Sequence, residues 1–240
     1  VDGILEFFRR NLDERGLVGK VGGINGRAKY WSFIDWTKQW DETSGMPRAG
    51  LEGPITMESL LYILGLEYAA KVLEYLGRNS VAEEYRERAA KVRDAVNRWC
   101  VDENGVYIDG PGVKQYSQHC QVFALLAGCV DPQKGAENLK KSMEDPETYA
   151  QCSVAMAYYL YRALEKAGMY AETEKCWDLW KKMVKDNLTT CVEDGVNGRS
   201  DCHAWGSLIL FELPAVVLGV HPAAPGYEKI AVEPNPGYLE

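Results

Sequence analysis

The sequence predicts an all-α fold built from stacked helical hairpins. Apolar residues recur at steps of three and four through most of the 240 residues, and short connections join the helical segments. The sequence contains no repeat of fixed period, which disfavours a regular helical repeat array. A toroid or a solenoid of helix pairs is therefore the predicted architecture.

Apolar spacing and turn residues place the individual helices. A helix over 57–76 ends near Gly77, and its apolar stripe consists of Leu61, Leu64, Tyr68, Val72 and Tyr75. Ser80-Val81-Ala82-Glu83 has the capping-box pattern, which predicts that the next helix begins there. Pro214 is expected to kink the last helix, at 203–219. The remaining helices are predicted at 2–15, 116–129, 132–143, 147–167 and 170–186.

Two long loops and a tail break the helical pattern. The two loops lie at about 16–54 and 101–115. Loops of this length within a helical scaffold often carry function. In the tail, residues 221–226 form a turn-rich linker. Residues 227–233 alternate as a strand does, and a single strand must pair elsewhere on this chain or with a β-domain beyond it.

Composition limits the function classes. A hydrophobic content of 46% is typical of a globular domain, and a net charge of −8 argues against nucleic acid or anionic membranes as partners. No apolar run approaches the ~18 residues of a membrane helix, and the first residues do not have the pattern of a signal peptide, so we expect none. The seven cysteines include no C-x-x-C pair, so we expect no zinc site. We expect reduced thiols in a cytoplasm, unless a leader preceded Val1.

The first long loop contains a candidate sugar platform. In Trp31-Ser32-Phe33-Ile34-Asp35-Trp36, two indoles flank one carboxylate. Indole rings cover the apolar face of a pyranose, and a carboxylate accepts hydrogen bonds from its hydroxyls. The alternative is a loop that its tryptophans pin to the core, with Asp35 as a cap, and residue types alone favour neither.

Tyr116-Ser117-Gln118-His119 forms the start of a helix after the second long loop. Gln118 and His119 have side chains that can bind a ligand at a helix start, where backbone N–H groups also point outward. A single histidine is weak evidence for a site. Residue types alone favour capping by Ser117 and a half-buried His119.

Two further segments near the C-terminus carry polar groups that suit a sugar-cleaving site. Thr189-Thr190-Cys191-Val192-Glu193 places a carboxylate on a loop, where it can deprotonate water, although a solvated acid is the commoner case. In Arg199-Ser200-Asp201-Cys202-His203-Ala204-Trp205, we expect Ser200 or Asp201 to cap the last helix. That role leaves ligand contacts by His203 and Trp205 open. Motifs for nucleotide binding, serine hydrolysis and zincin chemistry do not occur.

Together these segments resemble the α-L-rhamnosidases of glycoside hydrolase family 78. The loop W-x-F-I-D-W, the helix start Y-S-Q-H, T-T-x-x-E, R-S-D-C-H-A-W and the tail P-x-x-P-G-Y-x-x-I-x-V-x-P occur in that family's order. The resemblance runs from about residue 20 to the end. It implies an (α/α)6-barrel-like six-hairpin toroid with a β-sandwich after it. It also implies inverting hydrolysis of terminal α-L-rhamnosides without a cofactor.

The resemblance also assigns roles to residues. It makes Glu193 the general base that activates water and His203 a contact of the rhamnose ring. Asp35 and Trp36 match a segment that lines the sugar pocket, so we expect them to share a pocket with Glu193. The substrate contacts that we add from chemistry alone are Trp31, Trp205, Gln118 and His119.

One part of the family pattern is missing. The family's general acid lies in a segment of the form D-x-x-x-R-x-E-x-x-x-W upstream of the W-x-x-x-D-W loop, and nothing in residues 1–30 matches it. An inverting enzyme needs two carboxyl groups about 6.5–9.5 Å apart. We therefore expect residues 1–220 to be an incomplete catalytic toroid whose exposed helical edge recruits a second copy. Residues 221–240 would be a linker and the first strand of a truncated β-sandwich.

Two alternatives remain at this point. A chain without the acid fits a non-catalytic helical domain that binds carbohydrate or serves as a scaffold. A different (α/α)6 glycosidase, acting on a glucosyl or glucuronyl substrate, would share the fold and the loop carboxylates.

Overall fold

The computed structural model describes residues 1–194 and 202–235, and within them the chain is mostly helical. It divides into two compact units, Val1–Cys152 and Ser153–Glu240. The first unit contains α1 (Asp2–Arg10), α2 (Thr56–Tyr75), α3 (Asn79–Trp99), β1 (Tyr116–Ser117), α4 (Gln118–Leu126), α5 (Pro132–Glu144) and β2 (Tyr149–Ala150). The second contains α6 (Ala157–Lys166), α7 (Asp178–Lys185), α8 (Ile209–Glu212), β3 (Val220–Pro222) and β4 (Ile230–Val232).

The first unit is built on the hairpin of α2 and α3, which pack along their lengths. The predicted apolar stripe of α2 lies on the wrong face. The buried positions of α2 are Leu60, Ile63, Leu66, Ala70 and Leu73, whereas Leu61, Tyr68, Val72 and Tyr75 are exposed. The helix is apolar on all sides, so its spacing alone could not distinguish the face that packs from the face that does not. The expected second copy on the exposed face stays a prediction.

The predicted capping box at Ser80–Glu83 is also wrong. Helix α3 begins at Asn79, and no side chain caps its first turn. Gly77, at a φ of 73°, reverses the chain after α2, and the Arg78 N–H then donates to the Leu73 carbonyl at 2.8 Å. Because of this tight turn, α3 already begins at Asn79. Ser80 therefore lies within its first turn and not at the capping position before it.

Several predicted helices are shorter than their apolar spacing suggests. Short 3₁₀ helices replace parts of the predicted helices at Val154–Met156, Tyr170–Cys176 and Ala204–Ser207. Two more lie in the first long loop, at Lys38–Thr43 and Arg48–Leu51. The predicted break at Pro214 is observed, because α8 ends at Glu212 and a π-helical turn covers Leu213–Val217. Pro214 has no N–H to continue the α-helical hydrogen bonds.

The tail forms a small hairpin. Strand β4 pairs antiparallel with β3, with His221 opposite Ala231. The predicted strand at 227–233 therefore exists as Ile230–Val232 and finds its partner within this chain. The division of residues 1–220 and 221–240 into separate domains stays a prediction.

A buried ion pair holds the second unit together. Arg162 of α6 donates from Nη2 to both carboxylate oxygens of Glu212 in α8, at 2.7 and 2.8 Å, and the Tyr170 hydroxyl donates to the same carboxylate at 2.7 Å. Glu212 has no exposed surface, and burial raises its pKa despite these partners. Removing one partner from such a pair costs about 3–5 kcal/mol, so the pair holds the last residue of α8 against α6.

In the part of the chain that the structure describes, no helix combines the length and apolarity that a membrane crossing requires.

Candidate functional site

The loop at 31–36 is held by the turn at Ser44–Gly45. The N–H groups of Ile34 and Asp35 both donate to the Gly45 carbonyl, at 2.9 and 3.1 Å, and Trp31 Nε1 donates to the Ser44 carbonyl at 3.0 Å. A Cβ on Gly45 would lie 2.6 Å from the Phe33 ring, and its φ of 79° also favours glycine. The turn therefore fixes the backbone from which the Trp-rich loop presents its side chains.

Asp35 and His119 form a fully buried pair in the first unit. The two side chains have no exposed surface, and His119 Nε2 lies 2.7 Å from Asp35 Oδ2. The other carboxylate oxygen of Asp35 accepts the N–H of Trp36 at 2.8 Å. The His119 ring also stacks on Trp40, with ring centroids 4.7 Å apart. The pair thus joins the Trp-rich loop to the first turn of α4.

Neither Asp35 nor His119 reaches the surface, so in this structure neither side chain is open to a ligand. His119 was expected to be half-buried and is fully buried. Its Nδ1 atom has no hydrogen-bond partner among the residues that the structure describes. Direct sugar contacts by these two residues stay a prediction, and their geometry supports a positioning role.

Three aromatic rings cluster on the surface of the Trp-rich loop. Ring centroids lie 4.9 Å apart for Trp31 and Phe33, 5.0 Å for Phe33 and Trp36, and 5.8 Å for Trp31 and Trp36. Trp31 is 39% exposed and Trp36 is 38% exposed. Partly exposed indoles of this kind offer a face to the apolar side of a sugar ring while staying packed on one edge.

The start of α4 is capped as expected. The Ser117 hydroxyl accepts the N–H of Cys120 at 3.2 Å and donates to the buried carboxyl group of Asp109 at 2.6 Å. Burial raises the pKa of Asp109, which the sequence did not single out. Gln118 is buried, and its Oε1 accepts the N–H of Cys152 at 3.1 Å, so this side chain ties α4 to the segment after β2.

The second unit brings together Glu193, His203 and Trp205. The Glu193 side chain is only 5% exposed, and its Oε1 lies 3.8 Å from His203 Nε2. The rings of His203 and Trp205 have centroids 4.4 Å apart. A carboxylate, an imidazole and an indole therefore share one small surface.

Backbone contacts hold this cluster. The His203 N–H donates to the Cys191 carbonyl at 2.9 Å, and Trp205 Nε1 donates to the Glu193 carbonyl at 2.8 Å. Gly206 packs directly on the Val192 carbonyl, where a Cβ would collide. Residues 191–193 and 203–206 are thus bound to each other, and this fixes the distance between Glu193 and His203.

The residues that the sequence predicts for one site therefore form two groups, one in each unit. Asp35 lies beside Trp36, Trp31 and His119 in the first unit, and Glu193 lies beside His203 and Trp205 in the second. The shared pocket expected for Asp35 and Glu193 joins the two units and stays a prediction. The expected caps Ser200 and Asp201 lie outside the described residues.

Comparison with solved structures shows the fold. A GH78 family rhamnosidase from Bacillus sp. GL1 matches 97% of this chain at 24% identity, with a TM-score of 0.78. A Klebsiella oxytoca rhamnosidase with rhamnose bound matches 87% at 21% identity and a TM-score of 0.67. An α-L-rhamnosidase from Dictyoglumus thermophilum matches 98% at 19% identity and a TM-score of 0.65. The chain covers 25%, 40% and 26% of these three proteins, respectively.

Comparison with curated proteins gives no match. A family model described as the bacterial alpha-L-rhamnosidase 6 hairpin glycosidase domain matches residues 14–212. This match and the similar solved structures confirm the predicted all-α, six-hairpin fold and the resemblance to family 78. The chain belongs to the bacterial α-L-rhamnosidase six-hairpin glycosidase domain family, which is a family of glycoside hydrolases.

Proposed function

We propose that this chain is part of an inverting glycoside hydrolase that binds a terminal α-L-rhamnose residue, with Glu193 as the general base. The cluster of Glu193, His203 and Trp205 carries the proposal. A nearly buried carboxylate beside an imidazole and an indole is a combination that a sugar-cleaving site uses, and the family match supplies the reaction class.

Each group in the cluster has a distinct task. The Glu193 carboxylate accepts a proton from the attacking water, which arrives on the face of the ring opposite the leaving group. His203 and Glu193 lie side by side, so a sugar hydroxyl that reaches one group is within reach of the other. Trp205 packs against the His203 ring and orients it.

The Trp-rich loop supplies the apolar contacts. Trp36 and Trp31 offer partly exposed indoles to a sugar ring, and the buried pair of Asp35 and His119 holds Trp36 in place through its backbone N–H. The Bacillus, Klebsiella and Dictyoglumus proteins that share this fold are rhamnosidases, and the Klebsiella structure contains rhamnose. These relatives support L-rhamnose as the sugar.

One sequence observation favours an alternative, a helical domain that binds carbohydrate without cleaving it. Residues 1–30 contain no match to the family's general-acid segment. A site with the base alone would still hold the sugar. A different (α/α)6 glycosidase remains the second alternative, and a panel of glucosyl, glucuronyl and rhamnosyl ligands separates it from the first.

Binding of L-rhamnose tests the proposal without requiring turnover. We expect Glu193→Gln and His203→Ala each to weaken the binding of L-rhamnose about 10- to 100-fold, since hydrogen bonds to charged groups contribute ~1.5–3 kcal/mol. Saturation-transfer NMR and calorimetry measure the affinity. Glu228→Gln, which changes an exposed acid in the same unit, is the matched control and should change nothing.

Two results would contradict the proposal. One is equal L-rhamnose affinity in the wild type and in Glu193→Gln. The other is tighter binding of D-glucose or D-glucuronate than of L-rhamnose, which would favour a different glycosidase of the same fold.

A further inference from the structure

We propose that an aromatic cavity in the first unit binds an organic ammonium ion, a ligand that carries a positively charged nitrogen on an apolar body. The cavity has a volume of about 600 Å³ and lies between α1, the first turns of α2 and loop residues between 21 and 34. Cavities of this volume hold small organic ligands. A neutral sugar carries no such charge, so this inference goes beyond the proposed function.

Aromatic rings form much of the wall of the cavity. They belong to Phe7, Phe8, Tyr30, Trp31, Phe33 and Tyr62. Ring centroids lie 5.3 Å apart for Phe7 and Phe8, 5.7 Å for Phe7 and Tyr30, and 5.8 Å for Phe8 and Tyr62. The face of an aromatic ring carries partial negative charge and attracts a cation, and several rings around one cavity form the usual site for an ammonium ion.

Glu58 gives the cavity a negative charge. Among the described residues that line it, Glu58 is the single one with a carboxylate or a basic group. Its carboxylate accepts a hydrogen bond from the Ser32 hydroxyl, and no basic side chain within residues 1–194 and 202–235 pairs with it. The net charge of −8 on the whole chain also attracts cations. The charge of the cavity is therefore complementary to an ammonium ion.

The Glu58 carboxylate lacks a positive partner that would offset its burial. Burial raises the pKa of Glu58 to about 6, although the hydrogen bond from Ser32 lowers it. At pH 7 the carboxyl group is still mostly ionised, and its charge lies in a largely apolar site. An ammonium ion beside it would compensate the lost hydration of the carboxylate. A ligand of this class therefore supplies the missing partner.

Two basic side chains touch these rings without lining the cavity. Lys29 Nζ lies 5.0 Å from the centroid of the Tyr30 ring, and Arg88 donates to the Tyr62 hydroxyl at 3.4 Å. Arg88 already forms an ion pair with Glu84. Lys29 is exposed, and its contact shows that the Tyr30 ring accepts a cation. The carboxylate therefore remains the charge that a ligand meets inside the cavity.

Backbone contacts hold the wall that carries Tyr30 and Ser32. The Gly23 N–H donates to the Tyr30 carbonyl, and the Ser32 N–H donates to the Gly23 carbonyl, both at 3.0 Å. A Cβ on Gly22 would lie 2.6 Å from Ser32 Oγ, so only glycine allows this close approach. The wall is thus formed before a ligand enters, which reduces the cost of ordering it on binding.

The test compares two ligands of the same shape. Choline carries a trimethylammonium group, and 3,3-dimethylbutan-1-ol has a carbon atom in place of the charged nitrogen. We expect the wild-type chain to bind choline about 10-fold tighter, which is the scale of a cation held against aromatic rings and away from water. The preference should fall as salt is added, because part of it is an ion pair. NMR titration gives both affinities.

Substitutions locate the effect. We expect Glu58→Gln to reduce the preference for choline about 3-fold or more. Tyr30→Leu keeps an apolar side chain without the aromatic ring and should also reduce the preference. Glu87→Gln, at an exposed position of α3, is the matched control and should retain it. Circular dichroism of each variant confirms that it folds.

Three results would overturn the assignment. One is equal binding of the two ligands by the wild type. Another is an unchanged preference in both Glu58→Gln and Tyr30→Leu, which would place choline elsewhere on the chain. The third is the same loss of preference in Glu87→Gln, because the charge of the whole chain and not the cavity would then attract the cation.

Discussion

Asp35→Ala is expected to lower the free energy of unfolding of the first unit by about 3–5 kcal/mol. The Asp35 carboxylate has no exposed surface and lies 2.7 Å from His119 Nε2. Its removal leaves the imidazole buried, with Nε2 unpaired and with Nδ1 already lacking a partner among the described residues. The N–H of Trp36 loses its acceptor as well, so the platform loosens together with the core.

Urea titration followed by circular dichroism measures this effect. Asp94→Ala, at an exposed position of α3, is the matched control and should change the free energy of unfolding by less than about 0.5 kcal/mol. His119→Ala and the double variant complete a cycle, in which we expect non-additivity because the two side chains share one contact. A loss below about 1 kcal/mol for Asp35→Ala would show that the pair does not hold the Trp-rich loop to the first turn of α4.

Hydrolysis of aryl α-L-rhamnosides by this chain is expected to be slower by about 10²- to 10⁴-fold than that of a glycosidase with both carboxyl groups, the usual contribution of proton donation. The reason is that the general-acid segment of the family has no match in residues 1–30. Release of nitrophenol by the purified chain measures the rate. Glu193→Gln removes the proposed general base, so it should lower the remaining rate further.

Turnover as fast as that of a glycosidase with both carboxyl groups, and lost in Glu193→Gln, would contradict this expectation, because another carboxyl group of the chain would then donate the proton. Glu58 is the one to test first. It lines a cavity of about 600 Å³ together with Trp31, and burial raises its pKa to about 6. A carboxyl group in an apolar pocket with such a pKa is suited to general-acid catalysis. Glu58→Gln would then abolish turnover as well.

The sequence predicted the fold class well because helical periodicity is a local property. It failed where a helix carries apolar residues on every side, as in α2, and where the turn after one helix decides where the next one starts, as at Asn79 in α3. Pro214 was read correctly, because its missing N–H acts within its own turn.

In the candidate site, too, the sequence predicted local features and missed contacts between distant residues. Residue types and order singled out Glu193, His203 and Trp36 as candidates, but a single sequence contains no signal that Asp35 pairs with a histidine 84 positions away. Burial decided the roles of Asp35 and His119, and burial is a property of the packed chain. Asp109 and Trp40 were missed for the same reason, since only the fold places them beside Ser117 and His119.

The central claim is that Glu193 and His203 form the sugar-binding centre of this chain, and a crystal structure of the chain soaked with L-rhamnose tests it most directly. We predict density for one rhamnose ring with hydroxyl oxygens within about 3.2 Å of Glu193 Oε and His203 Nε2, which is hydrogen-bond distance. A rhamnose ring bound elsewhere, with no contact to either side chain, would contradict the account.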